Sequence, residues 1–508
     1  MNKILIKLTF TLLILTLSLS AESQSDKRDY VWIFGHDSRP PAGIESFRFD
    51  FNAGSSPDSI KGLSPLSFGG NNASICDKDG NLLYYTNGCH IAGADYQILP
   101  NGSELNPGPF ITEFLMDTCS DYRSIQEVMF LDDPGVLGSH YLLHKTIVLR
   151  ENQNSYMDLK YTYIDGSLNN GIGDVTTKNN RLFSNDTKFL FSYTTAINKS
   201  NSRDWWIVSL LEDNLIYIIS LDSSGFRLVK EIILETDFGE DSSGGGTAKF
   251  SPDGTRFAFH NYLDDLHIYD FDRETGEMTN HRCLNVTDER NFSALEWSPN
   301  SRFIYISTTF DLWQVDTWEA DLDEGLEHID VWDGTLDPLW TVFHQMVLAP
   351  DCKIYMCSLS STNTYHVINN PDAKGQDCDF VQQGIRLPFL SSISTMPNFP
   401  RYRVDEEDKC DPTITSIFGE DIYWRRDLSC YPNPVRDQLT VELPEQKRGQ
   451  LVVVDMDGQV VMTREVYSGS DKFQLSLGGL TAGTYSVEYV PERNEERRVW
   501  TARVVKVD

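Results

Sequence analysis

A repeated turn constrains this chain more than any other feature. Residues 246–272, GTAKFSPDGTRFAFHNYLDDLHIYDFD, run apolar or alternate at 248–250, 257–259 and 266–269, between Ser-Pro-Asp-Gly and Asp-Asp turn residues. That pattern reads as three short β-strands. One such sheet cannot bury its own faces. The unit returns as ALEWSPNSRFIYISTTFDLWQVD from Ala294 and as MVLAPDCKIYMCSLSSTNTYHVI from Met346, with turn residues Asp253, Asn300 and Asp351 spaced 47 and 51 residues apart. This is the scale of a four-stranded blade, and stacked copies bury one another. The predicted fold class is all-β, with a β-propeller as the main body.

Taken in order, the chain supplies further units. YVWIFG from Tyr30 and FRFDF from Phe47 read as two strands around a Pro/Gly-rich loop, an orphan pair suited to completing the last blade and closing a ring. NASICDKDGNLLYYTNG from Asn72 makes the first full blade, with an Asp79-Gly80 turn, a third strand around 96–99 and a turn at Pro100-Asn101-Gly102. A second starts at Ile125 with a turn at Asp133-Pro134-Gly135, and a degenerate one lies around 202–234, where no Pro-Asp-Gly survives. With the three clear repeats, the N-terminal pair and the final segment 391–403, the count is seven blades, six or eight being the alternatives. Residues 405–421 are acidic and break the strand rhythm, as a linker does. Beyond Leu428, four segments alternate apolar and polar residues between Gly or Pro turns, which predicts a small Ig-like antiparallel β-sandwich. The expected divisions are a signal peptide at 1–21, a propeller at 30–404, a linker at 405–427 and the sandwich at 428–508.

Lys3 and Lys7 precede an apolar run from Leu8 to Leu19 that ends in the small residues Ser18, Ser20 and Ala21. This is the pattern of a secretory signal peptide, too short and too rich in Thr and Ser for a membrane span. No other stretch of the 508 residues reaches membrane length, so no transmembrane segment is expected in the mature chain. The formal net charge of −32 argues against a nucleic-acid partner, which needs clustered Lys and Arg. Nine cysteines remain, at 76, 89, 119, 283, 352, 357, 378, 410 and 430. An oxidising destination allows disulfides, and the odd number leaves at least one thiol unpaired. Cys352 and Cys357 point to opposite faces of one strand, too far apart to join each other.

The last domain resembles the type A C-terminal sorting domain of the type IX secretion system. The matching residues are Tyr431, Pro432, Asn433 and Pro434 with Leu439 and Val441, then Asp455, Gly458 and Val460, then Leu480, Gly483 and Tyr485, and the terminal Val504-Val505-Lys506. They span nearly all of the domain in order. The resemblance implies delivery to the periplasm, recognition of the sandwich by the outer-membrane translocon, its removal afterwards, and release or attachment to surface lipopolysaccharide. The propeller is similar to a group of large exported propeller proteins. The residues concerned are Trp32-Ile33-Phe34-Gly35, Asp79-Gly80-Asn81-Leu82-Leu83-Tyr84-Tyr85, Ala349-Pro350-Asp351 and Met396-Pro397-Asn398-Phe399. One departure is Cys352, where a turn glycine is expected. That second similarity implies architecture only.

His144 and His260 fall at comparable places in two blades and His344 precedes a third innermost strand; the three would be channel residues if they faced the axis. Packing between blades is their ordinary role and is the expectation. No HExxH or CxxC motif accompanies them, so neither metal nor cofactor is expected. Asp77, Asp79 and Asn81 mimic the start of a calcium loop but lack the distal ligands, and read as turn residues. GxSxG, Walker and dinucleotide motifs are missing too, so no catalytic residue is assigned. Trp318, Trp332 and Trp340 lie near loops and are the candidates for an exposed binding rim. The expected function is recognition or adhesion at the cell surface, toward a protein or glycan. A secreted hydrolase acting on polysaccharide or peptide is the alternative.

Overall fold

The computed structural model describes residues 26–35, 46–52, 64–108, 125–149, 155–184, 186–212, 214–234, 245–261, 265–287, 292–391, 395–406, 410, 424–443, 448–455, 460–467, 469, 471–491 and 498–507. The signal peptide, Cys119, Gly458 and most of the linker lie outside these residues.

β1 (Val31–Phe34) and β2 (Phe47–Asp50) form an antiparallel pair. β3 (Ala73–Cys76), β4 (Leu82–Thr86) and β5 (Ile91–Gly93) make a three-stranded sheet. Next come β6 (Val128–Asp132), β7 (His140–Leu149), β8 (Ser155–Asp165) and β9 (Asp174–Arg181), then β10 (Phe189–Asn198), β11 (Trp205–Leu211), β12 (Leu215–Asp222) and β13 (Gly225–Ile233). The Phe189–Met157 pairing joins these two quartets. Three regular blades follow: β14 (Thr247–Phe250), β15 (Arg256–Asn261), β16 (Asp265–Asp272) and β17 (Glu277–Leu284); β18 (Ala294–Trp297), β19 (Phe303–Ser307), β20 (Asp311–Asp316) and β21 (Leu326–Val331); β22 (Met346–Leu348), β23 (Ile354–Met356), β24 (Thr362–Ile368) and β25 (Phe380–Ser391). Within each of these three, strands pair antiparallel in chain order from the axis outward. β14 is buried at every position, whereas the outermost β17 is mostly exposed.

The repeated turn has one chemistry in all three. Ser251 Oγ donates to Asp253 Oδ1, which accepts the Thr255 amide; Ser298 and Asn300 repeat the arrangement, and Asp351 accepts the Lys353 amide. The fourth turn residue is left-handed each time: Gly254 at φ 71°, Ser301 at φ 61° and Cys352 at φ 63°. Glycine takes this corner without a Cβ penalty, and the other two need outside support. Cys352 has it, in a disulfide to Cys410. Cys89 is also disulfide-bonded, while Cys76, Cys283, Cys357, Cys378 and Cys430 are free thiols.

Apolar clusters fill the seams between blades. Val31 and Ile33 of β1 pack with Phe68, Cys76 and Tyr85, and on the other side Trp32 and Phe34 meet Tyr355 and Tyr365. The β1–β2 pair is thus the seventh sector and closes the ring, between the β22–β25 blade and the β3–β5 blade. Three details differ from the sequence reading. The third strand of the first full blade is β5 (Ile91–Gly93), and the 96–99 stretch reaches it through the isolated Ala92–Ile98 bridge. The second blade extends outward through β8 and β9, and the third begins at β10, ahead of the 202–234 stretch. The final segment does not join the closing blade as a strand. Instead 395–404 crosses the middle of the ring, with only an isolated parallel bridge between Arg401 and Ile197.

The last domain contains β26 (Trp424–Asp427), β27 (Ser429–Tyr431), β28 (Gln438–Glu442), β29 (Gly449–Val454), β30 (Val460–Val466), β31 (Lys472–Ser476), β32 (Gly483–Pro491) and β33 (Arg498–Lys506). Its sheets run β26-β33-β32-β29-β30 and β27-β28-β31. Leu439 and Val441 from one sheet and Leu451, Val453, Val487 and Val504 from the other share a fully buried core.

Candidate functional site

The axis of the ring is where a propeller ordinarily offers a site. Here the chain itself fills it. The strap 395–404 enters where the inner strands begin and descends parallel to them. The Met396 amide donates to Gln345 Oε1 at 3.3 Å, the Asn398 amide to the Asn72 carbonyl at 2.9 Å, and Asn398 Nδ2 to the Val128 carbonyl at 3.2 Å. Farther along, the Arg401 amide meets the Ala196 carbonyl at 3.0 Å and its Nε meets that of Phe250 at 2.8 Å. Arg401 then pairs with Glu296, and Arg403 with Asp29 at 2.7 Å. All seven sectors therefore bond to one ten-residue segment, which Met396, Phe399 and Tyr402 also anchor in the apolar core.

Glu296 is fully buried and sits in β18. Burial pushes its carboxyl up, but Arg401 and Lys249 more than offset this and hold it below the usual carboxylate range. Lys249 occupies the equivalent position in β14, its ammonium pulled down by burial against the upward pull of Glu296.

The three histidines stand apart from the strap's hydrogen bonds and from each other. His144 lies between Asn106 Oδ1 at 2.6 Å and Thr162 Oγ1 at 2.9 Å; His260 Nδ1 meets Ser293 Oγ at 2.6 Å; His344 packs edge-on against Phe292. Burial lowers their pKa values to about 3, 3 and 4, and that of His366 to about 4. Among the described residues no group of three or more His, Cys, Asp or Glu side chains is placed to hold a metal ion.

These four rings have a consequence for acid stability. The folded protein keeps them neutral while the unfolded chain charges them near 6.5, so the folded state binds fewer protons below that pH. Their contribution is complete above 6.5 and is lost as pH falls toward 4. Burial raises Asp26 to about 6, which works in the opposite sense below pH 6, as do the raised carboxyls of Asp29 and Asp351. The expected net loss is about 2–3 kcal/mol between pH 6.5 and 5.5. Urea unfolding midpoints at pH 7.5, 6.5 and 5.5 check it; a flat profile would contradict neutral burial of these rings.

The tryptophans divide into two places. Trp318 precedes β21, is 63% exposed and lies under the Arg302 guanidinium, 4.9 Å from its ring centre. Trp332 and Trp340 flank the connection that follows β21, at the strand's other end. Their rings stack at 5.6 Å with a 20° interplanar angle, and Trp340 is 55% exposed. The platform is fixed from behind: Trp332 Nε1 donates to Thr341 Oγ1 at 3.1 Å, and Ser360 Oγ donates to the Trp340 carbonyl at 2.9 Å. Asp337 is paired with Arg386, and Asp333 Oδ1 accepts the Thr335 amide. The Asp77 side chain, for its part, accepts the Asp79 and Asn81 amides at 2.9 Å within its turn.

In the C-terminal domain three stretches distant in sequence meet at the end of β33. Asn433 Oδ1 accepts the Val505 amide at 2.9 Å, and Val435 bridges Lys506 in parallel. Across β32, Gly483 pairs with Lys506 and Tyr485 with Val504. Tyr485 OH donates to the Thr481 carbonyl at 2.9 Å, and Leu480 closes the same corner through its amide to the Leu477 carbonyl. Tyr431 stays exposed, its hydroxyl between Glu442 and Lys472, and Pro432 and Pro434 follow it; Asp455 follows β29.

The residues between 429 and 505 match the family described as secretion system C-terminal sorting domain. No curated protein matches the chain. Among solved structures it is similar to the periplasmic gluconolactonase of Pseudomonas aeruginosa, at 13% identity and TM-score 0.34, over 88% of this chain and 99% of that one. It is likewise similar to the Dos1 propeller, at 11% identity and TM-score 0.36, over 88% and 94%. The architecture rests on the sheet topology described above, and what defines the molecule is a strapped β-propeller followed by a sorting sandwich. The sandwich belongs to the secretion system C-terminal sorting domain family. The protein is therefore exported by type IX secretion, engages that machinery through this domain, and resides at the cell surface or outside the cell.

The sequence reading missed the strap and the Lys249–Glu296–Arg401 triad. A signal existed: TAKF and ALEW each carry a charged residue at the same place in an otherwise apolar inner strand.

Proposed function

We propose that the protein is a glycan-binding or adhesion module of the outer surface, recognising its ligand on the Trp332–Trp340 platform. Residues 1–21 act as the leader for the first export step, and the sandwich is removed after the second, leaving the propeller released or held on surface lipopolysaccharide. The observation that carries the binding reading is the strap. An axis filled by the protein's own chain leaves recognition to the outer connections, and the half-exposed Trp340, stacked on the partly buried Trp332, forms a rigid aromatic face there. Such a face suits the C–H side of a sugar ring, with Asp333 and Asp337 in the same connection as acceptors for hydroxyls. The buried histidines have strongly shifted pKa values but lie between blades, which favours binding over hydrolysis.

Trp340→Ala is expected to weaken glycan binding at least about 30-fold, the scale of an exposed aromatic hot spot, while costing no more than about 1 kcal/mol of stability. Glycan arrays probed with wild type and variant, followed by titration of the best ligand, check this. Equal binding by the variant would remove the platform from the function, and turnover of a bound glycan would restore the hydrolase reading.

A further inference from the structure

The strap leaves one set of charges incompletely paired. Lys249, Glu296 and Val347 each stand two residues before the inner-strand turn of their blade, and together with Phe399, Arg401 and Arg403 they line a cavity of about 40 Å³. Both Glu296 oxygens are engaged. Oε1 accepts the Trp297 amide and the Arg401 guanidinium, while Oε2 accepts the Leu348 amide at 3.2 Å and faces Lys249 Nζ at 3.6 Å. The last separation is beyond hydrogen-bond reach. Arg401 directs Nε to the Phe250 carbonyl and Nη2 to Glu296, and Arg403 is taken by Asp29. Among the described residues, the donors left over at this wall are the Lys249 ammonium, on a side chain more than nine-tenths buried, and Arg401 Nη1. Two cations share one carboxylate there.

An under-neutralised pair of cations, Lys249 buried and Arg401 partly so, favours an anion. Size and donor geometry narrow its class. The volume accommodates about three water-sized groups, and two separate donors match two oxygens on one carbon better than a spherical halide, which presents no such pair. We propose that this cavity binds a small carboxylate of one or two carbons, one oxygen on Lys249 Nζ and the other on Arg401 Nη1. The anion ties the strap to β14, and the site differs from the aromatic platform in place and chemistry.

Calorimetric titration of the full chain with formate, acetate, butyrate and chloride, at constant ionic strength in sodium HEPES, tests it. Formate and acetate are expected to bind saturably at one site, with butyrate and chloride at least about 10-fold weaker. Lys249→Met, checked for an unchanged circular dichroism spectrum, is expected to lose the formate heat. If that variant does not fold, Val347→Phe narrows the cavity without touching a charge and is expected to lose it instead. Absence of saturable formate binding, chloride binding as tightly as formate, or full formate binding by a folded variant overturns the proposal.

Discussion

Glu296→Ala is expected to destabilise the propeller by about 3–5 kcal/mol, the cost of stranding buried charge. The substitution leaves Arg401 and Lys249 facing each other without their shared carboxylate, and takes the acceptor from the Trp297 and Leu348 amides. A typical domain has only about 5–15 kcal/mol in hand, so this is a large share. The loss falls first on the strap. Hydrogen exchange at the Arg401 amide, bonded to the Ala196 carbonyl, reports strap release directly, and urea unfolding reports the total. Replacing Glu296 and Arg401 together by Met is expected to recover part of the loss, because removing a buried pair costs less than breaking it. A loss below about 1 kcal/mol for Glu296→Ala would mean that the triad is solvated and does not hold the strap.

The second large effect concerns Cys352 and Cys410. Their disulfide closes a segment with a sequence separation of 58 and pins the chain just beyond the strap to the turn between β22 and β23. Restricting the unfolded chain over that length is worth about 4 kcal/mol in the chain-entropy description. Cys410→Ser is expected to lose about that much, and dithiothreitol to lower the wild-type midpoint at least as far, because it also reduces the Cys89 disulfide. Cys352→Gly combined with Cys410→Ser separates two contributions, since glycine relieves the left-handed corner and returns about 1 kcal/mol. If Cys410→Ser unfolds with the wild-type midpoint, the crosslink carries no stability.

Legibility in the sequence followed local chemistry. The turns at Asp253, Asn300 and Asp351 demand particular residues at fixed spacing, so three blades could be read from them. β8 and β9 were missed because SYMDLKYTYID and DVTTKNNR, on the outside of the ring, mix polar and apolar residues, although Asp165-Gly166 and Asn170-Gly171 stand between them as turn signals. The closing role of Tyr30 and Phe47 was legible as an orphan pair. The path of MPNFPRYRV was not, because its partners are carbonyls and side chains from seven sectors and no periodicity encodes them. Cys352 in a glycine's place, and the charged residues within TAKF and ALEW, were the visible marks of that tertiary arrangement. Of the tryptophans, sequence placed all three near loops, but only the strand direction of β21 separates Trp318 from the stacked pair.

The strap also sets a schedule. Arg403 reaches back 374 residues to Asp29, and Glu406 reaches 380 to Asp26, so the ring's first and last segments complete each other. Contacts of such long range close slowly. A chain made N-terminus first holds its opening strands unfinished until almost the whole propeller has been synthesised. The sorting sandwich follows the strap in the chain, and therefore arrives after it. Finishing the ring and presenting the export signal are consecutive events, and a chain truncated before the strap lacks both.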